Sequence, residues 1–179
     1  MLIGILFCTV ANAQAHLYNT TRTFREVGFT YQANVEHGRV TLFNAANRYV
    51  MDGRRATFRD GRPVPQEFLD DPTPWTSPNS IAIIPIVTTI VRNALTPAER
   101  QRMGDNPLFV TMFVNQTATT PQPVTEVFFE FRPSSPFATL PVSVYRRIEL
   151  EIIRQVRMMS TERGRMLSRN GISIPIRVN

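Results

Sequence analysis

Residues 70–79 read DDPTPWTSPN. Three prolines within eight residues fix φ and remove backbone donors, so neither a helix nor the interior of a sheet can form there. This loop is the best internal boundary in a chain of 179 residues. It separates a β-rich part, residues 16–79, from a second part, residues 80–179. The length suits one domain or two very small ones. Trp75, the only tryptophan, stands inside the loop, where it either pins the loop to a core or serves as a partner-binding anchor.

In the first part, residues 28–35 (GFTYQANV) and 39–43 (RVTLF) alternate apolar and polar side chains around Glu36-His37-Gly38. The pattern predicts a β-hairpin with Gly38 supplying a positive φ in its turn. Residues 55–59 and 62–64, around Asp60-Gly61, predict a second hairpin, its second arm weakened by Pro63 and Pro65.

Residues 80–95 fit either a buried helix or a strand. Pro85 and the β-branched run oppose a simple helix, while the spacing of Ile83, Ile86, Ile90 and Ala94 favours one starting near the proline. Thr96-Pro97-Ala98-Glu99 is a capping-box signature, with a helix expected to end near Gly104. Strands are predicted over 107–115 and 124–131. Residues 140–157 form the clearest helix, with Tyr145, Ile148, Ile152, Val156 and Met159 on one face and Arg147, Glu151 and Arg154 on another. Asn170-Gly171 predicts a turn before a last strand at 172–178, which Pro175 places toward a sheet edge. The fold class is therefore α+β: an antiparallel sheet with one main amphipathic helix packed on it.

The N-terminus reads MLIGILFCTV followed by ANAQA. About ten apolar residues ending in Ala-x-Ala have the form of a secretory signal, with cleavage after Ala13 or Ala15. The run is shorter than the roughly 20 residues of a membrane-spanning helix. Cys8, the only cysteine, lies in this segment. The mature chain then has no thiol for disulfides, nucleophilic catalysis or thiolate metal sites. The expected location is a bacterial periplasm or the extracellular space.

Hydrophobic residues make up 42% and charged residues 19% of the chain, which excludes disorder along its whole length. The net charge is +6 and every basic residue is arginine. From Thr139 onward the charge is +5, against +1 before it. Arg163, Arg165 and Arg169 form a basic loop just before the last strand, whose Ile172, Ile174 and Ile176 are candidate contacts for a strand added by a protein partner. The loop is expected to steer an acidic partner. No aromatic residue follows Tyr145, which disfavours nucleic acid, since base stacking lacks its platform.

The two histidines, His16 and His37, have no carboxylates at ligand spacing. No phosphate-binding glycine loop and no G-x-S-x-G is present. No metal or cofactor is expected. The pair Asp70-Asp71 reads as a solvated turn. Glu149 and Glu151 are two apart on a helix and point to different faces.

Strand, strand, helix, Gly-containing loop and final strand is the order of the second part. With Tyr145 to Val156 as the helix, residues 158–164 (MMSTERG) as the loop and Ile174-Pro175-Ile176-Arg177-Val178 as the strand, it resembles the C-terminal domain of TonB energy transducers over about 70 residues. The resemblance implies that fold and no energy transduction, because neither an uncleaved anchor nor a long Pro-rich linker is visible. Residues 136–151 (PFATLPVSVYRRIELE) also give the chain a look similar to small exported proteins of Bacteroides relatives, which implies no activity. The reading is an exported, non-enzymatic module that binds an envelope protein or an acidic surface polymer. The alternatives are an enzyme of unrecognised type acting on glycans, marked by two carboxylates in a deep pocket, and an electrostatic nucleic-acid binder, marked by a continuous arginine face.

The exported protein is expected to begin at Gln14 or His16, read by intact mass, and to melt at the same temperature with and without reductant. Retention of Met1 in an envelope fraction contradicts this.

Overall fold

The structure, a computed structural model, describes residues 16–47, 57–71, 76 and 80–178. The proposed signal, Cys8 and Trp75 lie outside the described residues.

Strands β1 (Arg22–Glu26), β2 (Phe29–Glu36) and β3 (Arg39–Asn44) open the chain. Helices α1 (Gln66–Asp70), α2 (Ser80–Ala94) and α3 (Pro97–Met103) follow, then β4 (Leu108–Val114), β5 (Gln122–Pro123) and β6 (Glu126–Phe131). Helix α4 (Val142–Gln155), β7 (Arg157–Met158) and β8 (Asn170–Ile176) complete it. Six strands form one antiparallel sheet in the order β1-β2-β3-β6-β4-β8, while β5 and β7 pair separately. The α+β expectation holds. The pairing of β3 with β6 carries the sheet across the proline-rich loop, so both parts share one sheet.

The β2–β3 hairpin turns at His37 and Gly38, with φ of 50° and 72°. Positive φ at both central residues is what a two-residue turn of this hand requires. Of the second expected hairpin, residues 55 and 56 lie outside the described residues; the described part shows the bridge Thr57 to Pro63, where Pro63 has no donor to add to the ladder. Strand β1 was not anticipated; five residues with mostly exposed side chains carry little periodic signal.

Helix α2 begins at Ser80 and contains Pro85. Its buried stripe is Ile83, Val87, Ile90 and Val91, whereas Ile86 is exposed. The apolar stripe packs α2 against α4 and β8, which offsets the backbone bond that Pro85 removes. The capping box forms as expected: the Thr96 hydroxyl accepts from the Glu99 N–H, and Glu99 accepts from the Thr96 N–H. Gly104, at φ 51°, ends α3.

Helix α4 lies on the sheet through Tyr145, Ile148 and Ile152, and Val156 closes the stripe. The helix stops at Gln155, so Met158, entering through β7, takes the buried place expected of Met159. Asn170-Gly171 is no turn but the start of β8, paired with Val114 and Phe113. A Cβ on Gly171 would stand 2.8 Å from the Phe113 ring and 2.9 Å from the Met112 carbonyl, so only glycine fits this approach. The opposite sheet face buries Phe43, Phe113 and Phe128, edge to face at centroid distances of 5.5 and 5.3 Å.

Three buried tyrosines tie the layers together. Tyr18 donates to the Leu140 carbonyl at 2.8 Å, Tyr145 to the Phe137 carbonyl at 2.8 Å, and Tyr31 to Glu149 at 2.5 Å. Burial is the main cause that holds all three phenols protonated well above their ordinary value near 10.

Replacing Ile152 by Ala is expected to cost about 2–5 kcal/mol in denaturant melts, through lost transfer energy and a cavity. Replacing Arg154, an exposed partner of Glu151, should leave the melts almost unchanged. A second expectation concerns alkali. The folded state binds tyrosyl protons more tightly than the unfolded chain, so stability is intact below pH 10 and falls as pH rises above it. No lysine titrates in that window. Urea melts at pH 9, 10 and 11 should show the fall, and Tyr145→Phe should flatten it; an unchanged slope in that variant contradicts the assignment.

Candidate functional site

The 3.6-residue period sets Tyr145, Glu149 and Ile152 on one side of α4. Glu149 is therefore carried into the layer between helix and sheet, where it is 2% exposed. A carboxylate in such a place needs partners, and among the described residues it has three. The Tyr31 hydroxyl donates to Oε2 at 2.5 Å, Arg146 Nη1 donates to the same oxygen at 2.6 Å, and Asn44 Nδ2 donates to Oε1 at 3.4 Å. Tyr31 and Asn44 are register partners across β2 and β3, which brings both to one carboxylate. Arg146, one turn before Glu149, also lies 5.8 Å from the Phe29 ring centroid. Beyond burial, the Glu149 charge itself holds the Tyr31 phenol protonated.

A cleft of about 590 Å³ opens beside this network, where β3 and β4 end and β6 begins. Asn44, Asn47, Gln116, Glu126, Arg146 and Glu149 line it, joined by Asn115. Asn47 Nδ2 donates to the Val127 carbonyl at 3.1 Å. Asn115 Oδ1 accepts from the N–H and hydroxyl of Thr117 at 3.0 and 2.9 Å. Amides held at one end present the rest of their donors and acceptors in fixed directions. Among the described residues the wall thus combines four side-chain amides, two carboxylates and one guanidinium, a set suited to a polar ligand with many hydroxyl groups.

The residues singled out from sequence are placed differently. Arg163 is only 11% exposed: it ion-pairs with Asp71 at 3.0 Å and lies 4.2 Å above the Phe68 ring. Arg165 donates to the Ser160 carbonyl at 3.1 Å, and Arg169 is half-buried. The three share one loop, and the first two fasten it from within. Ile174 and Ile176 are core residues and Ile172 is half-buried against the core, so a partner at this edge meets backbone, Ser173 and Pro175 instead. β8 does lie at a sheet edge, paired among the described residues with β4 alone. Tyr31, Asn44, Arg146 and Glu149 were not singled out as a group. The four-residue step from Tyr145 to Glu149 was the available signal, because it puts the carboxylate on the buried face.

Comparison with known proteins completes the description. A family profile described as a domain of unknown function, DUF5043, matches residues 14–174. The crystal structure of a DUF5043 family protein from Bacteroides uniformis ATCC 8492 is similar, with a TM-score of 0.78 and 25% identity over 91% of this chain and 94% of that one. No curated protein matches. Neither finding is a TonB domain, and the TonB likeness of the second part is not shown by them. With the profile spanning nearly its whole length, the chain belongs to the DUF5043 family.

Proposed function

We propose that this DUF5043 protein is an exported, non-enzymatic binding module for a surface polymer, and that the cleft beside Glu149 holds a polyhydroxylated stretch of it. Export rests on the apolar run ending in Ala-x-Ala, and the family match begins at residue 14, directly after the first expected cleavage point. The observation that carries the ligand class is the buried Glu149, fixed by three donors at the wall of an amide-lined cleft. Sugar hydroxyls donate and accept, and the wall supplies acceptors from carboxylates, donors from arginine and both from amides. Because these side chains already hold one another, little ordering entropy is lost on binding.

One observation favours a second reading. Glu126 and Glu149 line the same cleft, and glycoside hydrolysis uses a carboxylate pair. Against it, Glu149 is committed to Tyr31, Arg146 and Asn44, as a structural acceptor is, rather than standing free to exchange protons.

A glycan array followed by calorimetry on the best neutral oligosaccharide tests the proposal. Saturable binding is expected, weakened at least tenfold by Asn47→Ala with Gln116→Ala, with no new reducing ends after long incubation. Binding unmoved by those changes, or no binding, overturns it. New reducing ends that disappear in Glu126→Gln establish the enzyme reading instead.

A further inference from the structure

The opposite end of β3, β6 and β4 carries another cleft, of about 550 Å³. His37, Arg39, Asn106, Phe109, Arg132 and Ser134 line it. The register explains the gathering. Arg39 begins β3 beside the hairpin turn, Phe109 begins β4, and Arg132 directly follows β6. Because β3 and β4 both run antiparallel to the intervening β6, the two starts and the one end meet at a single rim.

We infer that this cleft binds an anionic saccharide, a sugar residue bearing a carboxylate or sulfate group. Among the described residues, the lining includes two arginines and a histidine and no carboxylate. Two acids flank Arg39: Glu130, 3.5 Å from its Nη1, and Glu36, its register partner across the β2–β3 hairpin; the Arg39 side chain remains 58% exposed. One guanidinium nitrogen serves the buried Glu130, and the exposed remainder leaves N–H donors to grip an incoming anion. Arg132 and Ser134 are exposed, and the register that pairs Val40 with Phe131 sets Arg132 beside Arg39. Phe109 is half-buried with the Arg39 guanidinium 5.8 Å from its ring centroid. An aromatic face beside a cation matches a pyranose ring, whose C–H face is apolar and whose acidic substituent is charged.

The alternatives fit less well. β3, β6 and β4 each have strands on both sides in the sheet, so the cleft offers no open row of backbone groups to a peptide strand. A single half-buried ring is not the succession of platforms that single-stranded nucleic acid uses. The size falls within the range of small-molecule sites, about 300–1,000 Å³. None of these residues belongs to the cleft beside Glu149, so the two proposals stand or fall separately.

Calorimetry with the mature protein tests the inference using four probes: a galacturonate tetrasaccharide, a heparin-derived tetrasaccharide, cellotetraose and inorganic sulfate. At least one anionic tetrasaccharide should bind saturably, and which one does identifies the acid group. Cellotetraose and inorganic sulfate should bind at least tenfold more weakly. Arg39→Gln with Arg132→Gln should weaken the anionic sugar at least tenfold, and Arg132→Gln alone, at an exposed position, at least threefold. A charge-matched control, Arg25→Gln with Arg154→Gln, should stay within twofold of the parent. No anionic binding, equal loss in the control, or sulfate binding as tightly as the saccharide each overturns the inference.

Discussion

The placing of one buried carboxylate couples the two parts of the chain. Glu149 in α4 accepts from Tyr31 in β2 and Asn44 at the end of β3, residues more than a hundred positions earlier. Sliding the helix by one turn along the sheet would keep much of the apolar contact, since that contact is not directional. It would strand a charge away from its partners, and an uncompensated buried charge costs about 3–5 kcal/mol. The register between α4 and the hairpin is thus set by the polar network, and the surrounding apolar side chains supply the drive. The cleft inherits its rigidity from the same contacts.

Arginine does much of the remaining polar work. Helix C-termini leave carbonyls without intrahelical partners, and arginines meet them here. Arg100 Nη1 donates to the carbonyls of Arg92 and Leu95 at 3.0 and 2.9 Å, and Arg147 donates to Ala94 at 2.8 Å, so two side chains serve the end of α2. Arg157 serves the end of α4 through the carbonyls of Ile153 and Val156. Five N–H donors in a plane can bridge two carbonyls, and a positive charge is favoured at that end of the helix dipole. Part of the excess positive charge after Thr139 is therefore structural. Arg157, Arg163 and Arg165 are held against backbone or ring rather than presented as one binding face.

These placements explain what the sequence could disclose. The β2–β3 hairpin, the capping box and α4 follow rules that act within a few residues, so they were legible. Glu149 was read with Glu151 as a pair on two helix faces, correctly, but the partners that give the buried one meaning come from β2 and β3. No local spacing encodes them. The anchoring of the basic loop was hidden for the same reason: Phe68 and Asp71, which receive Arg163, lie over ninety positions away. Asn170-Gly171 has turn chemistry, yet the glycine serves close packing against Phe113. Similarly, Ile86 fits a helical stripe in α2, but the crossing with α4 and β8 chose Val87 and Val91.

Burying both faces of β4 and β6 also decides where recognition can occur. Every residue of β6 is buried, and nearly every residue of β4. Helices cover one face, and the Phe43, Phe113 and Phe128 cluster is buried on the other. A polar ligand cannot reach such strands along their length without exposing that apolar surface to water. The central strands are exposed only at their ends, where turns release the chain from the ladder and polar side chains can approach solvent. Both clefts sit at these ends, one rich in amides and carboxylates and the other in arginine. The two chemistries differ because the residues differ, Asn44 and Glu126 at one rim and Arg39 and Arg132 at the other. Their positions agree because the same three antiparallel strands end there.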